Sequence, residues 1–195
     1  MCYFIGKGDD CMQVLSTDKK YTYNDYEKLD DDNRYELLDG VIYLMTPPST
    51  KHQEISGELH RQIANFLVGK PCKVYSAPFY VRLDNYTVFE PDLTVIYDKS
   101  KRDIKGCIGA PDMIIEILSP STASYDKVFK FNKYLEAGVR EYWIVDPADK
   151  TVSVYILRDG EYFVRTYGDT DLIPAHILDG LQINMKDVYD SIWEV

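Results

Sequence analysis

VFEPDLTVIYDKSKRDIKGCIGAPDMIIEILSPST, residues Val88 to Thr122, sets two acids, Asp92 and Glu116, inside runs that otherwise read as buried strands. The two runs, about Val88 to Tyr97 and Asp112 to Leu118, are separated by the 14 residues 98–111. That connection has no helical periodicity and is short for a helical crossover, so an antiparallel ribbon is expected. Residues that face each other across such a ribbon have a constant index sum. Asp92 and Glu116 have their midpoint at residue 104, the centre of the connection. Symmetric pairing therefore puts both carboxylates on one face with Cβ atoms roughly 5 Å apart. Two carboxylates that close repel, and one pKa rises unless a cation sits between them. Oxygen ligands at that spacing suit Mg²⁺ or Mn²⁺. Pro91 removes a ladder donor and favours a bulge or an edge just before Asp92. The two residues alone leave another reading open, in which Asp92 caps a turn and Glu116 pairs with a buried lysine.

Outward from this ribbon, the spacing predicts helices and further strands. Upstream, Thr22 reads as the N-cap of a short helix over about Asn24 to Leu29, and Asp39-Gly40 leads into a strand from Val41 to Thr46. Ile55, Leu59, Ile63, Phe66 and Leu67 recur at helical spacing between His52 and Val68, and Gly69 and Pro71 close that helix. A strand over about Lys73 to Leu83 follows. Downstream, Ser121 and Thr122 read as caps of a second helix that ends at Ala137-Gly138, and EYWIVDP, TVSVYILR and YFVRTYG read as three more strands. A mixed sheet with helices packed on it is the expected α/β architecture, with extra C-terminal β-strands. On the second helix, Lys127, Lys130 and Tyr134 lie along one edge of an apolar stripe of Val128, Phe131 and Leu135. From there a lysine can reach the end of the preceding strand, or snorkel to solvent.

The chain has 195 residues, 45% of them hydrophobic, which suits one domain over residues 1–195. No apolar run is long enough to span a bilayer, and no secretory leader is expected. Cys2, Cys11, Cys72 and Cys107 lack C-x-x-C spacing, so a reducing, cytoplasmic setting fits. The net charge of −10 argues against a simple phosphate-backbone binder. The acidity, however, lies in the flanks. Residues 1–40 carry 10 acids and 5 bases and residues 146–195 carry 10 and 4, whereas residues 41–145 carry 12 and 13. Arg61, Lys99, Lys101 and Arg102 fall in that middle part and are the candidate contacts for a polyanion, although an ordinary solvated face is the more common explanation of such residues.

Pro91-Asp92, the run Glu116 to Thr122, then Asp126, Lys130, Tyr134, Gly138-Val139, Glu141-Tyr142-Trp143 and Asp146-Pro147 closely resemble the restriction-endonuclease domain of the Uma-two family, a branch of the PD-(D/E)XK nuclease superfamily. RYELLDGVIYLM and PPSTKHQEI resemble that family's N-terminal half, so the resemblance spans about residues 21–167. It implies a restriction-endonuclease-like core, with Asp92 and Glu116 as the catalytic, metal-binding acids and Mg²⁺ or Mn²⁺ as cofactor. Leu118 stands where the general superfamily pattern has its lysine. The resemblance makes Lys130, on the following helix, the substitute, with Lys127 and Tyr134 as accessory candidates. Glu36 matches an acid near the start of the family domain and His52 the histidine opening its first long helix. The implied activity is metal-dependent hydrolysis of nucleic acid, DNA foremost, with a homodimer as one way to cut both strands. The alternative is an inactive nucleic-acid-binding or structural homologue of the same fold.

Overall fold

The computed structural model describes residues 3–5, 12–15, 19–120 and 122–193. Strands β1 (Tyr3–Ile5) and β2 (Met12–Val14) precede the short helix α1 (Tyr23–Tyr26), the strands β3 (Arg34–Leu38) and β4 (Val41–Met45), and the long helix α2 (Thr50–Phe66). Next come β5 (Lys73–Ser76), β6 (Tyr80–Arg82), β7 (Val88–Phe89), β8 (Leu93–Ile96), β9 (Gly106–Ile108) and β10 (Met113–Ile117). A π-helical turn (Tyr125–Lys130) runs into α3 (Phe131–Ala137). The strands β11 (Glu141–Asp146), β12 (Thr151–Arg158), β13 (Glu161–Tyr167), β14 (Leu172–Pro174) and β15 (Gln182–Asn184) follow, and then α4 (Met185–Asp190).

Local chemistry explains the boundaries. Thr22 caps α1 through a capping box with Asp25. Ser49 caps α2 by accepting from the His52 N–H. Asp39 and Gly40, at φ 51° and 86°, form the two-residue connection between β3 and β4, a turn that needs positive φ at both positions. Gly138, at φ 83°, ends α3 in the left-handed conformation.

Two mixed sheets result, flanked by helices. One has the order β1-β2-β4-β3-β7-β6-β9 and the other β13-β12-β11-β10-β8-β5, while β14 and β15 form a separate hairpin. The strands β8 and β10 are antiparallel, with Met113 opposite Val95 and Ile115 opposite Leu93. That is the index sum the sequence predicts, so Asp92 and Glu116 stand in register one step beyond the ladder. The connection from β10 to β11 is a helical crossover between parallel strands. Among the described residues, no helix is long and apolar enough to cross a membrane.

Three expectations are corrected. The run Lys73 to Leu83 is not one strand: it breaks at Pro78, and β5 and β6 join different sheets. The run Val88 to Tyr97 breaks likewise at Glu90-Pro91-Asp92, where proline cannot donate to a ladder. Thr122 does not cap the second helix with its side chain; its carbonyl accepts from the Asp126 N–H at 2.9 Å as the chain enters the π turn. Ser121 lies outside the described residues.

The sheet β13 to β5 separates two cores. On one face Met113, Ile115 and Ile117 pack with Ile55, Leu59 and Ile63 of α2 and with Ile183 and Val188. On the other, Ile114 packs with Phe89, Tyr134 and Tyr142, and this is the face that Glu116 and Asp92 share.

Candidate active site

A cleft of about 380 Å³ opens on that second face, and Asp92, Glu116 and Lys130 all line it. Each arrives on a different element. Glu116 is the fourth residue of β10 and alternates with Ile115 and Ile117, which are committed to the apolar core. Asp92 follows Pro91 at the sheet break. Its Oδ2 accepts the Ile117 N–H at 2.8 Å, so the β10 backbone fixes the Asp92 carboxylate beside Glu116.

Lys130 leaves the π turn and is 2% exposed. Its Nζ lies 2.9 Å from Glu116 Oε1, 3.0 Å from Glu36 Oε1 and 3.2 Å from Asp126 Oδ1. Tyr134, one turn further along, donates to Glu116 Oε1 at 2.8 Å. Burial alone would lower the lysine's pKa, but the three carboxylates outweigh it and push it well above the ordinary value. Burial pushes Glu116 and Asp126 up, against the opposing field of the ammonium. Three carboxyl groups, on Glu36, Glu116 and Asp126, thus surround one ammonium, and the Asp92 carboxyl lies beside Glu116.

His52, on the first turn of α2, reaches the same place. Its Nε2 is 3.0 Å from the Ile117 carbonyl oxygen and 3.2 Å from Asp92 Oδ2. A carbonyl only accepts, so Nε2 carries the proton and donates to both oxygens. Burial lowers the pKa of His52, yet the hydrogen bond to Asp92 leaves it raised overall.

Glu36 comes from β3 in the other sheet. It is fully buried, and its Oε1 also accepts the Glu90 N–H at 2.9 Å. Among the described residues, its buried Oε2 has no hydrogen-bond partner. Glu90 in turn receives two hydrogen bonds from Arg34, at 2.8 and 2.7 Å, at the rim of the cleft.

Other residues singled out in the sequence lie elsewhere. Lys127 does not line the cleft; it is half exposed and meets Asp146 at 3.1 Å. A regular helical wheel groups it with Lys130, but the π turn, built on i→i+5 bonding, widens the angle between residues three apart. Val128, placed in the apolar stripe, is half exposed. Arg61 is held by Glu58, and Lys101 donates to the Ala110 carbonyl at 2.7 Å. Lys99 and Arg102 are exposed on the 98–105 loop.

Asp126, Glu90 and Arg34 were not singled out as site residues by sequence reasoning. Asp126 had a usable signal, since it precedes Lys130 by four residues on a helix. Glu90 and Arg34 had none, because they are 56 residues apart and meet only through the pairing of the sheet.

A family model described as "Putative restriction endonuclease", Uma2, matches residues 22–186. Uncharacterized protein slr1290 of Synechocystis sp. (strain ATCC 27184 / PCC 6803 / Kazusa) is 30% identical over 164 residues, covering 82% of this chain and 85% of that protein. Uncharacterized protein sll1609 of the same organism is 24% identical over 141 residues, covering 69% and 80%. A crystal structure from Anabaena variabilis ATCC 29413, described as a "putative nuclease belonging to DUF820", matches with a TM-score of 0.73 at 23% identity, over 87% of this chain and 98% of that one. That likeness shows the fold: mixed α/β, restriction-endonuclease-like, as the sequence led us to expect.

Proposed function

The chain belongs to the Uma2 family, and from that premise we propose that it is a metal-dependent endonuclease hydrolysing phosphodiester bonds in nucleic acid, DNA foremost. The observation that supports this reading best is the convergence of Asp92, Glu116 and Lys130 on one cleft.

The donor chemistry fits a hard divalent cation. Asp92 and Glu116 are oxygen ligands on the same sheet face. Among the described residues, no group of three His, Cys, Asp or Glu is placed to hold a metal by itself. The pair of carboxylates is what supports Mg²⁺, or Mn²⁺ in its place, because Mg²⁺ is commonly held by one or two carboxylates while water and substrate phosphate fill its remaining positions. Asp92 and Glu116 would hold the ion, which when bound activates water and neutralises phosphate charge.

The chain's own groups supply the rest. Lys130 keeps its proton at neutral pH, so it acts as a donor and a fixed positive charge. From the cleft wall it orients the attacking water and stabilises the oxyanion that forms on the phosphate. Glu36, Asp126 and Tyr134 hold the ammonium and its partner Glu116 in one geometry, which limits reorganisation during the reaction. His52 holds Asp92 from the other side. Free, buried Cys72 and Cys107 suit a reducing, cytoplasmic setting.

The test is cleavage by the purified protein at low ionic strength, on single-stranded DNA, duplex DNA and RNA. We expect cleavage with Mg²⁺ or Mn²⁺, none with EDTA, and none for Asp92→Asn with either ion. Equal binding of nucleic acid by wild type and Asp92→Asn, without cleavage of any substrate, would replace the enzyme with a binding module.

A further inference from the structure

The cleft does not end at Glu116. Arg34 and Glu90 on its rim also line a second hollow of about 230 Å³. Pro78, Tyr80 and Lys105 of that hollow in turn line a third, of about 550 Å³, which extends to Tyr75 and Arg102. Through these shared lining residues the three hollows lie in series, a trough from the acid cluster to the 98–105 loop.

Its lining has two properties. The first is a pair of exposed basic side chains without a salt-bridge partner. Of the acids along it, Glu90 pairs with Arg34, while Glu27 accepts from the Tyr23 hydroxyl at 2.7 Å and Asp103 from the Ile104 N–H at 2.7 Å. Arg102 and Lys105 are exposed, and neither forms a salt bridge among the described residues. The second is an aromatic wall. Tyr75 stacks on Phe79 with ring centroids 4.3 Å apart, Tyr80 stands beside them, and Ile104 is 98% exposed at the lip.

We propose that this trough is the path of a single, unpaired nucleic-acid strand running away from the scissile phosphate. Backbone phosphates on one side of the cut lie against Lys105 and Arg102, and bases lie against the aromatic wall. The proposal rests on the endonuclease reading and names its substrate as single-stranded. Stacked aromatic and basic groups in a groove are how proteins hold unpaired strands, since bases paired and stacked in a duplex have no free face to offer. The depth of the site agrees: Glu116 and Lys130 are 3% and 2% exposed, so a phosphate must enter the cleft to reach them. The chain's charge of −10 also opposes the denser charge of a duplex.

The test measures binding, not cleavage. A fluorescein-labelled dT12 strand and a duplex of the same length are titrated with the full chain in EDTA at low salt, by anisotropy. We expect wild type to prefer the single strand at least fivefold. Arg102→Ala/Lys105→Ala should weaken that binding about tenfold and flatten the slope of log affinity against log salt by about 1.4, at roughly 0.7 per lost phosphate contact. Lys186→Ala, exposed on α4 and outside the trough, should stay within twofold of wild type. Wild-type binding that the double variant leaves unchanged, or a preference for duplex, would overturn the trough while leaving the endonuclease reading intact. Wild type that binds neither strand form would overturn the trough, and cleavage with Mg²⁺ would then decide the endonuclease reading separately.

Discussion

Glu116 and Glu141 are buried glutamates on neighbouring strands of one sheet, and they point to opposite faces of it. Glu141 stands opposite Met113 on the apolar side. It accepts from Trp143 Nε1 at 2.7 Å, from the His176 N–H at 3.1 Å and from the Ile177 N–H at 2.7 Å. Both of its oxygens are satisfied by neutral donors that fasten the segment before β15 to the sheet. Glu116 instead faces an ammonium, a tyrosine hydroxyl and an open cleft. Burial raises the pKa of both. What separates them is therefore not burial or pKa direction but the kind of partner and the access to solvent. A carboxylate closed off by neutral donors holds structure, whereas one kept beside a charged partner at a cleft is equipped for chemistry.

The sharpest break of this comparison exchanges the roles. Glu116→Gln should reduce cleavage by at least about 10²-fold while changing stability by less than about 1 kcal/mol, because Lys130 keeps Glu36 and Asp126. Glu141→Ala should do the reverse. It strands three buried donors, so urea denaturation should show a loss of about 2–4 kcal/mol, with the turnover of the folded fraction unchanged. If Glu141→Ala abolished turnover in folded protein, the division of roles would fail.

Lys130→Met probes the charge balance on the Glu116 side. Removing the ammonium leaves three buried carboxylates without their cation, and breaking such a network costs about 3–5 kcal/mol. A loss below about 1 kcal/mol in urea denaturation at pH 7 would mean that the network does not depend on Lys130.

The smallest effect is the pH dependence on the Glu141 side. Burial raises the folded-state pKa of Glu141 against its hydrogen bonds from Trp143, Ile177 and His176, and burial likewise raises that of Glu90 against Arg34. For an acid raised in the folded state, the native protein binds more protons than the unfolded chain between the two pKa values. Its contribution to stability is full below the unfolded pKa and is lost as pH rises through the folded pKa. Stability should therefore increase as pH falls from neutral toward 5, and Glu141→Gln should flatten that slope. An unchanged slope in the variant would remove Glu141 from the account.

The register that joins Asp92 to Glu116 was legible, because strand pairing depends only on index and the connection is symmetric about residue 104. The sheet break at Pro78 was not, and at Pro91 the sequence shows a bulge or an edge but not the change of sheet. Hydrophobic alternation continues through both, and only the three-dimensional course shows that β5 and β6, and β7 and β8, part company. Lys130 was legible as a lysine able to reach Glu116. Its separation from Lys127 was not, since the π turn breaks the regular 3.6-residue period from which helix faces are read. Glu141 shows the converse limit. In the sequence it is one more acid at the start of a strand, and its partners at His176 and Ile177 lie some 35 residues on.

The account turns on Asp92 and Glu116 holding a divalent cation that Glu141 does not. Calorimetric titration of the full chain with Mn²⁺, in metal-free buffer at neutral pH, reads this without requiring turnover. Wild type and Glu141→Gln should bind the ion alike, while Asp92→Asn and Glu116→Gln should each weaken it at least tenfold. Binding of equal strength in wild type, Asp92→Asn and Glu116→Gln would contradict the account.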